Sequence, residues 1–223
     1  MAYRQTENVA QRLAENRQKI LTAARELVAS GGFAKAQITA VAKNAGLATG
    51  TLYRYFPSKD DLCRQVFREV SAREMNLLAG IAASNRPALD RFELILRTFS
   101  GRALQNRRLA YALLVEPLDL ALAEERTRFR KTHAAIFTRV IEDAIAEDAI
   151  RPCDAKFAAA CFAGAIPTAL TGPLAPHAGD MSPDQVLDEI VRFCFGAIGA
   201  PVHTQRETAS AVTSKELRAS CTD

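Results

Sequence analysis

The sequence predicts an all-α protein in which a three-helix module at the N-terminus joins a larger helical body. Apolar residues recur with the period of an α-helix along nearly the whole chain, and no segment alternates convincingly with the period of a half-buried strand. Glycine and proline residues divide this pattern into separate helices. Near the N-terminus a tight turn at Gly46 joins two short helices, which is the arrangement of a helix-turn-helix.

The first four helices follow from these signals. The first spans about residues 9–30, where apolar residues keep i, i+3 and i+4 spacing and a pair of glycines ends the pattern. The second spans about residues 38–45, and the third begins a few residues after Gly46 and ends at Pro57. The fourth spans about residues 58–80 and leaves the module for the body of the protein.

Residues 46–60 have the pattern of a DNA-recognition helix followed by an anchor. Leu52 and Phe56, four residues apart, share one face and would hold the helix to its module. The other side offers small hydroxyl groups that can approach base edges and tyrosines that can donate to phosphates. These outward residues are Thr49, Gly50, Thr51, Tyr53 and Tyr55. Double-stranded DNA is therefore the first partner that the sequence predicts.

Lys59 follows the good N-cap Ser58, where its charge and free backbone N–H groups can meet a phosphate. The outward residues have plainer alternatives: Tyr53 and Tyr55 as half-buried helix residues, and Gly50 as a flexible position. A missing side chain at Gly50 would, however, let the backbone come close to the sugar-phosphate chain. We therefore keep all of them as DNA contacts.

The distribution of charge agrees with a DNA-binding front. Residues 1–79 hold 12 Lys and Arg against 7 Asp and Glu, a net charge of +5. Residues 80–223 hold 17 against 18, a net charge of −1. A basic front and a neutral back fit a module that meets phosphates and a body that does not.

The body is predicted to be a bundle of five helices. They span about residues 87–104, 107–115, 118–149, 154–171 and 182–198. The last begins with Ser182, Pro183 and Gln185, a capping box with proline at the first helical position. The final two helices are apolar over more than one stripe, so we expect a homodimer through a four-helix bundle. The alternative is that both are central core helices.

Three motifs together resemble the TetR/AcrR family of bacterial transcriptional regulators. They are Ile20-Leu-Thr-Ala-Ala-Arg-Glu-Leu27, Val41-Ala-Lys-Asn-Ala-Gly-Leu47 and Gly50-Thr-Leu-Tyr-Arg-Tyr-Phe-Pro-Ser-Lys59, within a resemblance that covers roughly residues 14–74. The resemblance implies an N-terminal module that binds operator DNA, a helical domain that binds a small effector, and a homodimer. Carried over by position, it implies DNA contacts from Thr39, Thr49, Gly50, Thr51, Tyr53, Tyr55 and Lys59.

Two departures from the family pattern concern helix caps. Gln37 and Ala48 stand where the family commonly has Ser or Thr, and neither residue caps a helix well. Thr39 and Thr49 lie one or two residues inside the helices, so their hydroxyl groups would be shared between the helix and DNA. Their role in base recognition is accordingly a weaker expectation than the contacts of the other residues.

The effector is predicted only as a class. The body is rich in Ala, Leu, Phe and Ile and poor in convergent polar groups, so a pocket there suits a mostly apolar small molecule. His133 is the polar residue on an apolar stripe, either a ligand contact or a hydrogen-bonded core histidine. Pro167 inside a helix either opens a pocket or shapes the dimer surface.

Several other functions are excluded by the absence of their motifs. The sequence has no nucleophile or metal-hydrolase motif and no glycine-rich phosphate loop, so we expect no enzyme and no cofactor. The five cysteines are far apart and form no C-x-x-C pair, so the sequence predicts neither disulfides nor a zinc site. Because no run resembles a membrane span or a signal peptide, we expect a cytoplasmic protein without a membrane partner.

The sequence thus predicts a repressor that binds a palindromic operator as a homodimer and is released by the effector. The alternative is a helical DNA-binding regulator without a small-molecule ligand, controlled by a protein partner or by its own concentration. We expect a DNA-binding domain at residues 1–80 with its helix-turn-helix at about 37–56. An effector-binding and dimerisation domain would span residues 81–202, and a polar, disordered tail residues 203–223.

Overall fold

A computed structural model describes residues 2–175 and 181–201 of the chain, and these residues form an all-α fold as predicted. No strand occurs in these two ranges. The helices are α1 (Ala2–Gly31), α2 (Ile38–Ala45), α3 (Thr49–Tyr55), α4 (Lys59–Ala82), α5 (Ala88–Gln105), α6 (Arg107–Leu114), α7 (Leu120–Ala146), α8 (Ala155–Ala169), α9 (Thr171–Leu174) and α10 (Pro183–Ala197). A single 3-10 turn, Phe33–Lys35, joins α1 to α2.

Helices α1 to α3 enclose a small core of their own residues. Ile20 and Val28 of α1 are fully buried, and Val41 of α2 and Leu52 of α3 meet them there. Phe33 closes one end of this core and stacks on Phe67 of α4, with ring centroids 6.5 Å apart. The short helices α2 and α3 are therefore held by packing, because helices of this length are unstable alone.

Helix α1 begins at Ala2, well before the expected start near residue 9. Residues 9–19 are exposed apart from the half-buried Asn16, so this half of the helix has no apolar face against the core. The extension over residues 2–8 contains Ala, Arg, Gln and Glu, which are strong helix formers. Apolar periodicity, which begins near residue 9, therefore does not indicate the first turns of α1.

Helix α4 links the front of the molecule to its body. Ser58 caps it as predicted, since the hydroxyl oxygen accepts from the backbone N–H of Asp61 at 3.0 Å. Along its length α4 packs against α1, α5 and α7. With 24 residues the helix is about 36 Å long at 1.5 Å per residue and contacts both parts of the molecule.

The body helices agree with the prediction within a few residues at most boundaries. Asp119 caps α7 and sets its start, because its carboxylate accepts from Leu122 N at 2.9 Å. The expected helix over residues 154–171 is divided at Leu170 into α8 and the single turn α9. The predicted capping box at the start of α10 is confirmed, with both reciprocal hydrogen bonds present.

Four aromatic rings join four body helices around Phe92. This residue of α5 packs against Phe137 of α7, Phe162 of α8 and Phe195 of α10, with centroid distances of 5.6, 5.4 and 5.5 Å. All four rings are buried, and edge-on or tilted pairs of this kind add stability beyond their buried area. The body is thus fixed around one aromatic centre.

The stretch Ala155–Leu174 corrects one expectation from the sequence. By length and composition alone it could cross a membrane, whereas we expected no run of that kind. Gly164, Pro167 and Gly172 interrupt its apolar residues, so the sequence shows no long uninterrupted apolar run. One side of α8 is buried against α7, as in a core helix. The expected tail at residues 203–223 lies outside the described residues.

Candidate functional site

The turn between α2 and α3 requires glycine at Gly46. This residue has φ 66°, in the left-handed region that favours glycine, and its N–H donates to the carbonyl oxygens of Ala42 and Lys43. Leu47 N then donates to Ala42 O at 3.0 Å. These hydrogen bonds close the end of α2 and set the direction in which α3 leaves it.

Helix α3 presents its two faces as the sequence predicts. Leu52 is fully buried and Phe56 is 4% exposed, so this side holds the helix to the core. On the opposite side Tyr53 is 54% exposed, which excludes the half-buried alternative for this residue. A Cβ added at Gly50 would meet no atom within 4 Å, so the backbone there faces open space.

The expected DNA contacts all reach the surface to some extent. Thr39, Gly50 and Tyr53 are exposed, and Thr49, Thr51, Tyr55 and Lys59 are half-buried. They come from α2, α3 and the first residue of α4, which are consecutive around the Gly46 turn. The structure therefore brings the predicted set together on neighbouring elements.

Tyr55 is positioned by Asn16 of α1, a residue that the sequence analysis did not identify. Asn16 Nδ2 donates to the Tyr55 hydroxyl oxygen at 3.3 Å, so the hydroxyl proton stays available for another acceptor. Next to this pair, the Arg17 guanidinium lies over the Phe56 ring, 5.4 Å from its centroid. The end of α3 is thus fixed against α1 by groups 39 residues away in sequence.

The weak caps predicted at Gln37 and Ala48 are confirmed. Neither residue makes a side-chain cap hydrogen bond, and Gln37 instead donates to Ala34 O at 2.9 Å. The hydroxyl groups of Thr39 and Thr49 do not replace these caps within the part of the chain that the structure describes. Both hydroxyls are therefore free for a ligand, contrary to the expected sharing with the helix.

A cavity of about 110 Å³ lies in the body between α4, α5, α6 and α7. Its wall is mostly apolar and includes Phe67, Phe99, Leu109, Leu113 and Phe129. The exceptions are Ser71, Asn106 and the pair formed by Glu74 and Arg102. Glu74 Oε2 lies 2.9 Å from Arg102 Nε, and burial raises the pKa of Glu74 although Arg102 opposes the shift.

His133 of α7 lies near this cavity but does not line it. The imidazole packs between Phe99 and Phe137, with ring centroids 4.5 and 4.8 Å away, and Phe129 lies 6.0 Å away. His133 is fully buried, and neither ring nitrogen has a hydrogen-bond partner among the described residues. This differs from the hydrogen-bonded core histidine considered from the sequence. Burial lowers the pKa of His133 to about 4, so the ring is neutral near pH 7.

Helices α8 and α10 each keep one face exposed. On α8 the exposed residues recur at helical spacing and are mostly small, namely Lys156, Phe157, Ala160, Cys161, Gly164, Thr168 and Ala169. On the second half of α10 they are Glu189, Arg192, Phe193, Gly196 and Ala197, and its first half exposes polar residues and Pro183. Phe157 is 71% exposed and Phe193 is 60% exposed, which is unusual for large apolar side chains.

The described ranges contain free thiols and no cluster placed to bind a metal ion. No group of three or more His, Cys, Asp or Glu residues there is placed to hold a metal ion. The four cysteines in these ranges are free thiols, and burial raises the pKa values of Cys63 and Cys194 to about 11 and about 12. Such thiols remain protonated and unreactive near neutral pH.

A glycine-fixed turn that presents an exposed hydroxyl-rich helix, in front of a helical body with a cavity, defines a helix-turn-helix transcriptional regulator. Residues 20–66 match the family model described as bacterial regulatory proteins, tetR family. This part of the chain therefore has the N-terminal domain of that family, as the motifs between Ile20 and Lys59 predict.

Individual relatives agree with this assignment. The chain is 33% identical over 136 residues to the HTH-type transcriptional repressor KstR of Rhodococcus jostii (strain RHA1), which covers 58% of this chain and 61% of that repressor. It is 24% identical over 156 residues to the fatty acid metabolism regulator protein of Bacillus subtilis (strain 168), covering 69% and 80% of the two chains. These relatives are regulators and not enzymes.

Solved structures share the fold. The crystal structure of the transcriptional regulator FadR from Bacillus subtilis in complex with stearoyl-CoA superposes with a TM-score of 0.70 at 21% identity. The match covers 81% of this chain and 98% of that one. The arrangement of an N-terminal helix-turn-helix and a helical body is therefore shared with a known regulator.

Proposed function

We propose that the protein is a repressor that binds a palindromic operator as a homodimer and releases it when a mostly apolar small molecule enters the body. The observation that carries the proposal is the exposed side of α3, with Gly50 and Tyr53 facing outward behind the fixed Gly46 turn. Thr39, Thr49, Thr51, Tyr55 and Lys59 complete the proposed DNA contacts.

Each contact has a chemical role in this proposal. Thr51 and the neighbouring threonines approach base edges, and the hydroxyl of Tyr53 donates to a phosphate. Tyr55 donates the proton that its bond from Asn16 leaves free. Lys59 supplies a cation at the start of α4, beside the helix N-terminus.

Helices α8 and α10 contact each other in the body, and the exposed face that each one keeps supports the homodimer. Small residues at helical spacing allow two copies to approach closely, and Phe157 and Phe193 would be covered by the partner copy. An α3 helix from each copy, about 34 Å apart, could then read two half-sites on one side of the DNA. The apolar composition of Ala155–Leu174 has the same explanation.

The effector role of the body cavity is supported by its apolar wall and by the relatives. One relative regulates fatty acid metabolism by name, and the similar FadR structure contains stearoyl-CoA. Both names point to molecules with long apolar parts. The cavity here is small for a typical ligand site of roughly 300–1,000 Å³, so we expect it to widen on binding.

Helix α4 couples the cavity to DNA in this proposal. Phe67, Val70 and Glu74 line the cavity, and Lys59 begins the same helix about 22 Å from Glu74 at 1.5 Å per residue. A ligand that spreads α4 from α6 would therefore tilt α4 and move the two α3 helices out of register. Residues 1–80 would act as the DNA-binding domain and residues 81–202 as the effector and dimer domain.

A second contact between cavity and DNA-binding helices lies at Gly32. Leu109 and Leu113 of α6 line the cavity, and α6 also packs against α1. Arg108 and Glu116 form an ion pair directly against the backbone of Gly32, which has no space for a side chain. A shift of α6 would therefore reach the turn between α1 and α2.

A regulator of bacterial genes works in the cytoplasm, where we place this protein.

The direct test is a gel-shift assay with the DNA beside the gene of this protein. We expect binding that is tighter than to random DNA of equal length at physiological salt, with two protomers in the complex. Equal affinity for both DNAs would show that this regulator does not control its own gene.

The ligand-independent alternative predicts that no small molecule co-purifies with the protein. Mass spectrometry of the native protein tests this prediction.

A further inference from the structure

We infer that the cavity selects an uncharged amphiphile, an apolar molecule whose hydroxyl group donates a hydrogen bond to Glu74. The inference rests on the proposed effector role of this cavity and adds the chemical class of the effector. Three properties of the cavity lead to it, namely an unpaired carboxylate oxygen, a balanced charge and a limited size.

The first property is the free oxygen of Glu74. Its Oε2 is bound to Arg102, whereas Oε1 is buried and has no hydrogen-bond partner within residues 2–175 and 181–201. Because almost none of the Oε1 surface is accessible, a ligand reaches this oxygen only when the cavity widens, as the proposed function requires. A buried polar atom without a partner costs about 1–3 kcal/mol, and more when it is charged. A ligand that donates a hydrogen bond to this oxygen recovers that cost, and a purely apolar ligand does not.

The second property is the charge of the wall. Glu74 and Arg102 are its only ionisable residues in the described ranges, and their charges cancel. A carboxylate ligand would give the site a net charge of −1, and an ammonium ligand would give +1. Both cost desolvation in an apolar cavity, whereas a hydroxyl group adds no charge. Burial already raises the pKa of Glu74, which shows that further negative charge is unfavourable there.

The third property is the size of the cavity. With about 110 Å³ before it widens, the cavity is small for a typical ligand site, which favours a short chain as the probe. An eight-carbon chain with one head group is a short amphiphile of this kind. The matched probes are therefore 1-octanol, octanoate and octylammonium, which share the chain and differ in the head group.

Isothermal titration calorimetry with the full-length protein at pH 7.5 compares the three probes. We expect 1-octanol to bind about tenfold more tightly than either charged probe. Glu74→Gln removes the negative charge and leaves Arg102 unbalanced, so octanoate should gain affinity and become the preferred ligand. The matched control is Glu93→Gln, which removes a carboxylate 2.7 Å from Arg97 on α5, outside the cavity wall.

Arg102→Gln is the complementary variant and keeps the test open if Glu74→Gln fails to fold. It leaves Glu74 unbalanced, so octylammonium should become the preferred ligand. The inference is overturned if a charged probe binds the natural protein as tightly as 1-octanol, if no probe binds, or if both variants keep the natural ranking. Calorimetry needs no DNA, so these outcomes are separate from a failure of operator binding, which would contradict the proposed function instead.

Discussion

The neutral, unpaired His133 predicts a pH dependence of stability with a definite sign. Burial lowers the pKa of His133 from 6.5 to about 4. Between these values the unfolded chain binds a proton that the folded protein excludes, so the free energy of unfolding falls as the pH is lowered. With these pKa values, lowering the pH from 7 to 5 costs about 2 kcal/mol, and the full loss below pH 4 is about 3 kcal/mol.

The variant His133→Phe isolates this contribution. Phenylalanine has a similar shape between Phe99 and Phe137, cannot take up a proton and removes two buried nitrogen atoms without partners. We expect the variant to be more stable than the natural protein at pH 7 by about 1–3 kcal/mol. Its loss of stability between pH 7 and pH 5 should be smaller by about 2 kcal/mol, because the histidine no longer titrates.

Urea unfolding followed by far-UV circular dichroism measures both effects at one protein concentration. Circular dichroism is suitable because the chain has no tryptophan for fluorescence. Equal losses between pH 7 and pH 5 in the two proteins would refute the reasoning. A variant less stable than the natural protein at pH 7 would contradict the expected gain from removing two unpaired nitrogen atoms.

Three further variants test the dimer, the Gly32 contact and the phosphate contact. Phe193→Glu should convert the dimer to a monomer in sedimentation velocity. Leu120→Glu, at a side chain 79% exposed on α7, is the control and should leave the dimer unchanged. The proposed interface is contradicted if both variants remain dimers. Gly32→Ala should lower the free energy of unfolding in urea by about 1–3 kcal/mol, because φ 75° and ψ −177° are accessible essentially to glycine alone; natural stability would contradict this. Tyr53→Phe should weaken operator binding in a gel shift, and unchanged affinity removes its hydroxyl from the contact set.

The helix-turn-helix was predictable because its signals are local. Gly46 and Pro57 mark the ends of short helices, and the bounds of α2 agree with the prediction to the residue. The capping box at Ser182 is local in the same way. The sequence places the end of α8 at Gly172-Pro173, but Pro173 cannot donate to the carbonyl of Ala169 and crowds it, so the helix is interrupted earlier, at Leu170.

The cavity could not be located from the sequence. Its wall comes from four helices, and Glu74 and Arg102 are 28 residues apart without a spacing that relates them. The same limit applies to Asn16, whose bond to Tyr55 depends on how α1 crosses α3. The periodicity of the sequence predicts which face of a helix is apolar. Which helices pack against each other, and therefore which polar groups meet, depends on the tertiary structure.

The central claim is that the outer side of α3 lies against DNA, and Gly50→Ala tests it most directly. A Cβ at Gly50 meets no atom of the protein within 4 Å, and the same is true of the control Gly80→Ala on α4. Neither variant should therefore disturb the fold. With an operator selected from a random DNA pool, fluorescence anisotropy should show about tenfold weaker binding for Gly50→Ala, roughly 1.4 kcal/mol, and natural affinity for Gly80→Ala. Natural affinity in both variants would contradict the claim.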